Sequence, residues 1–174
     1  QKGLDLVADA IPEFMDRMQL VILGVGDTTL QETFASLAKE NPGRIFYKQG
    51  FDESLAHKIY AGADIFLMPS RFEPCGLGQL LAMRYGSLPV ATRTGGLTDT
   101  VHNRGEADNS NGFVMASADR EGMDSAFRAA LSSFGKKEHW NRMVQNAISG
   151  DYSWAKSAQD YINLFRKAIQ KVRQ

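Results

Sequence analysis

The chain has 174 residues, 43% of them hydrophobic and 23% charged, which suits one globular domain with its own core. Twenty Lys and Arg balance twenty Asp and Glu, so no net charge argues for nucleic acid or an acidic membrane as a partner. The single cysteine, Cys75, excludes an internal disulfide and fits a reducing compartment, and no apolar run reaches membrane-spanning length.

In chain order the patterns alternate between helix and strand. Leu4, Val7, Ala8 and Ile11 recur at helical spacing, with Pro12 and Phe14 toward that helix's end. Residues 19–24 form a short apolar, β-branched run that reads as a buried strand. A helix is predicted over 29–39, a strand over 44–48, a helix over 54–61 and a strand over 65–68. A helix over 78–85 and a strand over 88–92 follow, then the turn Thr94-Gly95-Gly96-Leu97 and a short helix through Val101. Residues 112–114 read as a last strand, and helices fill 119–134, 136–148 and 153–172. Strands separated by helices of this length indicate βαβ units, a parallel Rossmann-like sheet with helices on both faces, and right-handed crossovers. The polar stretch 103–111 reads as an exposed loop.

The segment Ser70-Arg71-Phe72-Glu73-Pro74-Cys75-Gly76-Leu77-Gly78-Gln79 carries the chemistry. It leaves a buried strand and opens a helix, so a carboxylate, a thiol and several free backbone N–H groups meet at the carboxyl edge of the sheet. Ligands of open α/β sheets sit at that edge, and free helix-terminal N–H groups attract anions. The spot is expected to hold something negative, with Glu73 gripping a neutral, hydroxyl-rich group beside it. No His lies near Cys75 in sequence to activate it, so a packed or backbone-contacting thiol is expected.

Three smaller features lie on the same edge. Gly24-Val25-Gly26 follows a strand and precedes a helix, but the third glycine of a dinucleotide fingerprint is absent. A tight turn requiring positive φ explains such a pair without a ligand, whereas Gly24 lining a cleft explains it with one. Phe51, between Gly50 and Asp52, suits a flat ring in a loop against a base rather than a core aromatic. Thr94-Gly95-Gly96-Leu97-Thr98-Asp99 repeats the strand–glycine–helix geometry, its N–H groups being able to cradle a second anionic or sugar group, with Thr98 or Asp99 as a plain N-cap. His57, His102 and His139 are scattered on predicted helices without metal-ligand spacing, and no metal site is expected.

Taken together, the motif 70–77, Tyr85-Gly86-Ser87-Leu88-Pro89-Val90 and Arg93-Thr94-Gly95-Gly96-Leu97-Thr98-Asp99-Thr100-Val101 closely resemble bacterial glycogen synthases and plant starch synthases. The opening residues 1–6 and Tyr152-Ser153-Trp154 fit as well. The resemblance implies a GT-B glycosyltransferase, with two Rossmann-like halves around a cleft. This chain resembles the carboxyl-terminal, donor-binding half, with residues 1–150 as nucleotide-sugar domain and 151–174 as a helix crossing toward the other half. It implies ADP-glucose as donor, an α-1,4-glucan as acceptor, retained configuration, no cofactor beyond the donor, no metal, and a bacterial cytoplasmic or plastid stromal setting.

By that resemblance Lys2 binds the donor diphosphate and Glu73 holds the hydroxyls of the transferred glucose. Cys75 and Gly76 line the glucose pocket, and the N–H groups of Leu77 and Gly78 hold the distal phosphate. Phe51 stands against adenine, while Gly24, Gly95 and Gly96 border the nucleotide and sugar. An arginine that shares the work of Lys2 in relatives would lie ahead of Gln1. The sequence departs from the wider pattern at Leu81, where many GT-B enzymes carry a second Glu, and at Gly78, where many relatives have Thr. A non-catalytic nucleotide- or glucan-binding module and a UDP-sugar-using GT-B enzyme are the alternative readings. The apolar face formed by Trp154, Tyr161, Leu164 and Phe165 is expected to be exposed in this chain.

Overall fold

A computed structural model describes residues 1–103 and 109–172. Among them, strands and helices alternate as the patterns predict: α1 (Leu4–Ala10), β1 (Leu20–Gly24), α2 (Thr28–Glu40), β2 (Ile45–Gln49), α3 (Glu53–Gly62), β3 (Ile65–Met68) and α4 (Gly78–Arg84). They continue as β4 (Leu88–Thr92), α5 (Leu97–Thr100), β5 (Phe113–Met115), α6 (Arg120–Phe134), α7 (Lys137–Ser149) and α8 (Trp154–Val172). After Ala10 the first helix tightens into a 3-10 turn, Ile11–Phe14, with Pro12 in its first turn, where a missing N–H costs nothing.

The strands are parallel throughout, but they form two ladders rather than one. β1 pairs with β2 from Leu20↔Ile45 to Gly24↔Gln49. β4 lies between β3 and β5, running from Ile65↔Leu88 on one side and Val90↔Phe113 on the other. Among the described residues no ladder joins β1 to β3. The burial of the strands reflects this. All five residues of β4 are buried, whereas every residue of β3 is only partly covered.

One apolar core nevertheless bridges both ladders. Val7, Ile11 and Phe14 pack with Leu20, Phe34 and Ile45 on one side and with Leu88, Val90 and Phe127 on the other. The Phe14 and Phe127 rings meet edge to face at 5.1 Å. Arg120 ties α1 to α6: it donates to the Asp9 carbonyl at 2.8 Å, to the Asp9 and Asp124 carboxylates at 3.0 and 2.9 Å, and to Glu13. Those acids push its pKa further up.

Caps set the helix starts. Asp27, Asp52 and Asp119 accept the N–H of Leu30, Leu55 and Gly122, each satisfying a donor that the first turn leaves free. At α5 the expected cap is corrected. Gly96 is the N-cap, and Thr98 and Asp99 lie inside the turn, because the chain already bends at Gly95 with φ 46°.

Two other expectations change. His102 lies beyond the end of α5 rather than on a helix. Of the polar stretch 103–111, residues 104–108 are outside the described residues, while Ser110 and Asn111 are buried rather than exposed. Asn111 closes that end by accepting the His102 N–H at 2.7 Å and donating to the Thr100 carbonyl at 2.9 Å. α8 buries none of its residues; Trp154 is 86% exposed, and Tyr161, Leu164 and Phe165 are exposed with it, as the apolar face predicts.

Candidate functional site

β3 ends at Met68, and the chain runs irregularly through Glu73 before α4 begins at Gly78. The start of the chain is held against this segment. Gly3 has φ 71°, and a Cβ there would fall 2.0 Å from the Pro69 carbonyl oxygen, so only glycine admits the approach. The Arg71 N–H donates to the Gln1 carbonyl at 2.9 Å. The Arg71 guanidinium grips both Asp5 oxygens at 2.7 Å, a bidentate pair that holds the Asp5 carboxyl below the usual range.

Those contacts place Lys2 on Glu73. The ammonium lies 2.5 Å from Oε2, although 71 positions separate the two residues. Glu73 is buried at 7% exposure, and the Ser70 hydroxyl donates to the same oxygen at 3.4 Å. A carboxylate so enclosed needs a cation or donors. Lys2 supplies the charge while its side chain remains 60% exposed, so the ammonium can turn to another anion.

The glycines of the 94–96 turn form the floor of this segment. A Cβ on Gly95 would fall 1.9 Å from the Glu73 carbonyl oxygen, and one on Gly96 would fall 2.5 Å from that of Cys75. The Gly96 N–H donates to the Pro74 carbonyl at 3.1 Å, so it is already engaged and is not free to cradle a ligand. Their closeness supports Glu73 from beneath.

Above that floor, the backbone is open. Among the described residues no acceptor takes the N–H of Cys75, Gly76, Leu77 or Gly78. Gly76 has φ 75°, which turns the chain sharply into α4. Cys75 is exposed and in no disulfide, and among the described residues its thiol has no hydrogen-bond partner, which corrects the expectation of a packed or backbone-contacting thiol; the residue is held through its carbonyl instead. Gly78 faces Phe66, whose ring would lie 3.1 Å from an added Cβ, with the Tyr60 hydroxyl at 3.6 Å. A threonine there would need the Phe66 ring to give by a few tenths of an ångström.

Gly24 and Phe51 come together separately, at the carboxyl end of the β1–β2 ladder, where the Gly50 N–H donates to the Gly24 carbonyl at 3.2 Å. Phe51 is 92% exposed, a loop ring and not a core one. Neither Gly24 nor Gly26 has positive φ, and a Cβ on either would meet nothing within 4 Å. Neither the turn nor packing therefore demands glycine at these positions, and the space above Gly24 is open to a ligand. Leu81 is 43% exposed. Among the described residues no His, Cys, Asp and Glu group could hold a metal, and no helix is long and apolar enough to cross a membrane. The sequence motifs contain Gly3, Asp5 and Arg71 but assign none of them a role of its own; a glycine just before a helix was the available signal for the first.

Residues 1–133 match the family model described as glycosyl transferases group 1. The chain belongs to that family. Glycogen synthases are among its relatives. That of Elusimicrobium minutum is 44% identical over 172 residues, covering 98% of this chain and 36% of that protein. That of Desulforudis audaxviator is 47% identical over 175 residues, covering 99% of this chain and 35% of that protein. The chain thus spans little more than a third of the length of these relatives. Among solved structures, the catalytic domain of starch synthase IV from Arabidopsis thaliana, bound to ADP and acarbose, aligns with a TM-score of 0.84 at 34% identity, over 98% of this chain and 36% of that one. Sucrose-phosphate synthase from Thermosynechococcus elongatus aligns with a TM-score of 0.69 at 20% identity, over 98% of this chain and 43% of that one, a likeness of fold alone. The parallel sheets flanked by helices are those of one half of a GT-B glycosyltransferase, and the similarity of this chain is to the carboxyl-terminal part of glycogen synthases.

Proposed function

We propose that this chain is the donor half of a retaining glucosyltransferase that binds ADP-glucose and extends an α-1,4-glucan. The observation that carries the reading is the Lys2–Glu73 pair beside four backbone N–H groups that find no acceptor among the described residues. One arrangement thereby offers a cation and N–H donors for a diphosphate, and a buried carboxylate for sugar hydroxyls. The glycogen synthase relatives, and a starch synthase with ADP bound, support the nucleotide and the glucan.

In the reaction the bond between glucose C1 and the diphosphate oxygen breaks. A bond from C1 to the acceptor's 4-hydroxyl oxygen forms, and that hydroxyl's proton leaves with the ADP. Negative charge grows on the diphosphate. Lys2 swings from Glu73 to meet it, together with the Leu77 and Gly78 N–H groups, which stabilise it electrostatically. Glu73 then accepts from glucose hydroxyls in place of Lys2, and Cys75 and Gly76 line the sugar. The open space at Gly24 borders the nucleotide, Gly95 and Gly96 border the sugar from beneath the 73–75 segment, and Phe51 stacks on adenine.

No group in this reading binds the glucan, so the chain binds the donor without turning it over. The exposed apolar face of α8 packs on the acceptor-binding half, and the setting is the bacterial cytoplasm. Calorimetric titration tests the reading. ADP and ADP-glucose bind, UDP-glucose binds more weakly, and Glu73→Ala abolishes the preference for ADP-glucose over ADP. No heat at millimolar ADP refutes the nucleotide site, and glucan synthesis by the chain alone refutes the half-enzyme.

A further inference from the structure

Gln79 is completely buried in the first turn of α4. Its carboxamide nitrogen donates to the carbonyls of Cys75 at 3.3 Å and Gly76 at 2.9 Å, and to the Thr100 hydroxyl at 3.2 Å. Thr100 passes the connection on, donating from that hydroxyl to the Gly96 carbonyl at 2.9 Å. Its own carbonyl accepts from Asn111 and from the Tyr152 hydroxyl. A polar chain therefore runs from the 75–76 peptides to the glycine floor and on to Asn111, just ahead of the last strand, and to Tyr152.

The amide oxygen of Gln79 has no partner among the described residues and sits 2.5 Å from where a Cβ on Gly76 would lie. A buried carbonyl left unpaired is costly, and a methionine of similar shape would avoid it. What a methionine lacks is the donor. In a trans peptide the C=O and the following N–H point opposite ways. Drawing the Cys75 and Gly76 carbonyls inward thus turns the N–H groups of Gly76 and Leu77 outward, and those are two of the four without an acceptor.

We infer that Gln79, backed by Thr100, is a positioning residue: it locks the Cys75–Gly76 and Gly76–Leu77 peptides so that their N–H groups face the sugar and distal phosphate of the donor. The inference rests on the donor-site reading above. AMP, ADP and ADP-glucose separate it from a general loss of folding, because AMP brings neither the distal phosphate nor the sugar.

The test titrates the three nucleotides calorimetrically into wild type, Gln79→Met, Thr100→Val and Thr100→Ser, with a melting curve for each. Gln79→Met is expected to weaken ADP and ADP-glucose by roughly tenfold, the effect of one good hydrogen bond, and AMP by less than about twofold. Thr100→Val shifts ADP and ADP-glucose the same way to a smaller degree, and Thr100→Ser, which keeps the hydroxyl, restores wild-type affinity. Should Gln79→Met not fold, the Val and Ser pair carries the same comparison. Equal weakening of all three nucleotides, or unchanged affinities, overturns the positioning role. A wild-type chain that binds AMP but not ADP or ADP-glucose overturns the donor-site reading, and this one with it.

Discussion

Replacing Gly95 by alanine probes the floor of the site most directly. The new Cβ would lie 1.9 Å from the Glu73 carbonyl oxygen and 3.2 Å from that of Pro74. Both obstacles are backbone, so no side-chain rotation relieves them, and the segment must lift by on the order of 1 Å. A displacement of that size can cost about a hundredfold in rate once it reaches reacting groups. The positive φ of 46° adds ~1–2 kcal/mol for any residue with a Cβ. With the clash, a loss of about 3 kcal/mol is expected, within the range of severe single substitutions. For a domain of this size each kcal/mol lowers Tm by roughly 2–4 °C, so Gly95→Ala should melt roughly 6–12 °C below wild type. It should also bind ADP-glucose more weakly. Gly24→Ala is the matched control. Its Cβ meets nothing within 4 Å, so Tm stays level or rises while nucleotide affinity falls. Calorimetric melting and titration read both. A Gly95→Ala protein with wild-type Tm and wild-type affinity would refute the close packing of floor on segment, and a Gly24→Ala protein that melts early would refute the open space.

Other substitutions probe separate contacts. Gly78→Thr pushes against the Phe66 ring at 3.1 Å and should cost ~1–3 kcal/mol; adding Phe66→Leu should recover part of it, and additive losses in a double-mutant cycle would count against the contact. Arg120→Ala leaves Asp9, Glu13 and Asp124 facing one another and should lower the urea midpoint with an unchanged slope. Acid should destabilise the fold through Asp119, whose carboxyl is held below its ordinary value mainly by the Gly122 N–H. Because the folded pKa lies below the unfolded one, this stabilisation is complete above about pH 4, near the unfolded value, and is lost as pH falls through the folded value. Asp119→Asn, which keeps the cap without the charge, should flatten that part of the pH–stability curve.

Much of this architecture is legible in the sequence because local rules decide it. Asp27, Asp52 and Asp119 announce helix starts by capping chemistry, and the apolar runs at 20–24 and 88–92 announce strands, although only 88–92 is buried throughout, β1 burying Leu20 alone and leaving Val21 exposed. The position of Glu73 follows from a strand ending and a helix beginning. What local rules cannot supply is contact between distant residues. The pairing of Lys2 with Glu73 and of Asp5 with Arg71 depends on α1 starting against the end of β3, and no spacing encodes that. Gln79 looks like an ordinary polar residue in a helix until its burial is known. Likewise Gly95 and Gly96 look like a phosphate-cradling turn, whereas a Cβ on either would strike a backbone carbonyl of a neighbouring loop.

The split between the ladders has a consequence for the motions of the chain. In a parallel sheet the N–H groups of a strand alternate between two neighbours, so a strand bonded on one side protects only about half of its amides from exchange with solvent. Among the described strands β4 alone is bonded on both sides, and it alone is buried from end to end. The slowest-exchanging amides therefore gather in β4, while β1 and β3 each carry alternate amides that exchange by shallow local opening. The candidate site hangs between these regimes. Glu73 extends from the softer strand β3, and the glycines beneath it extend from the rigid strand β4.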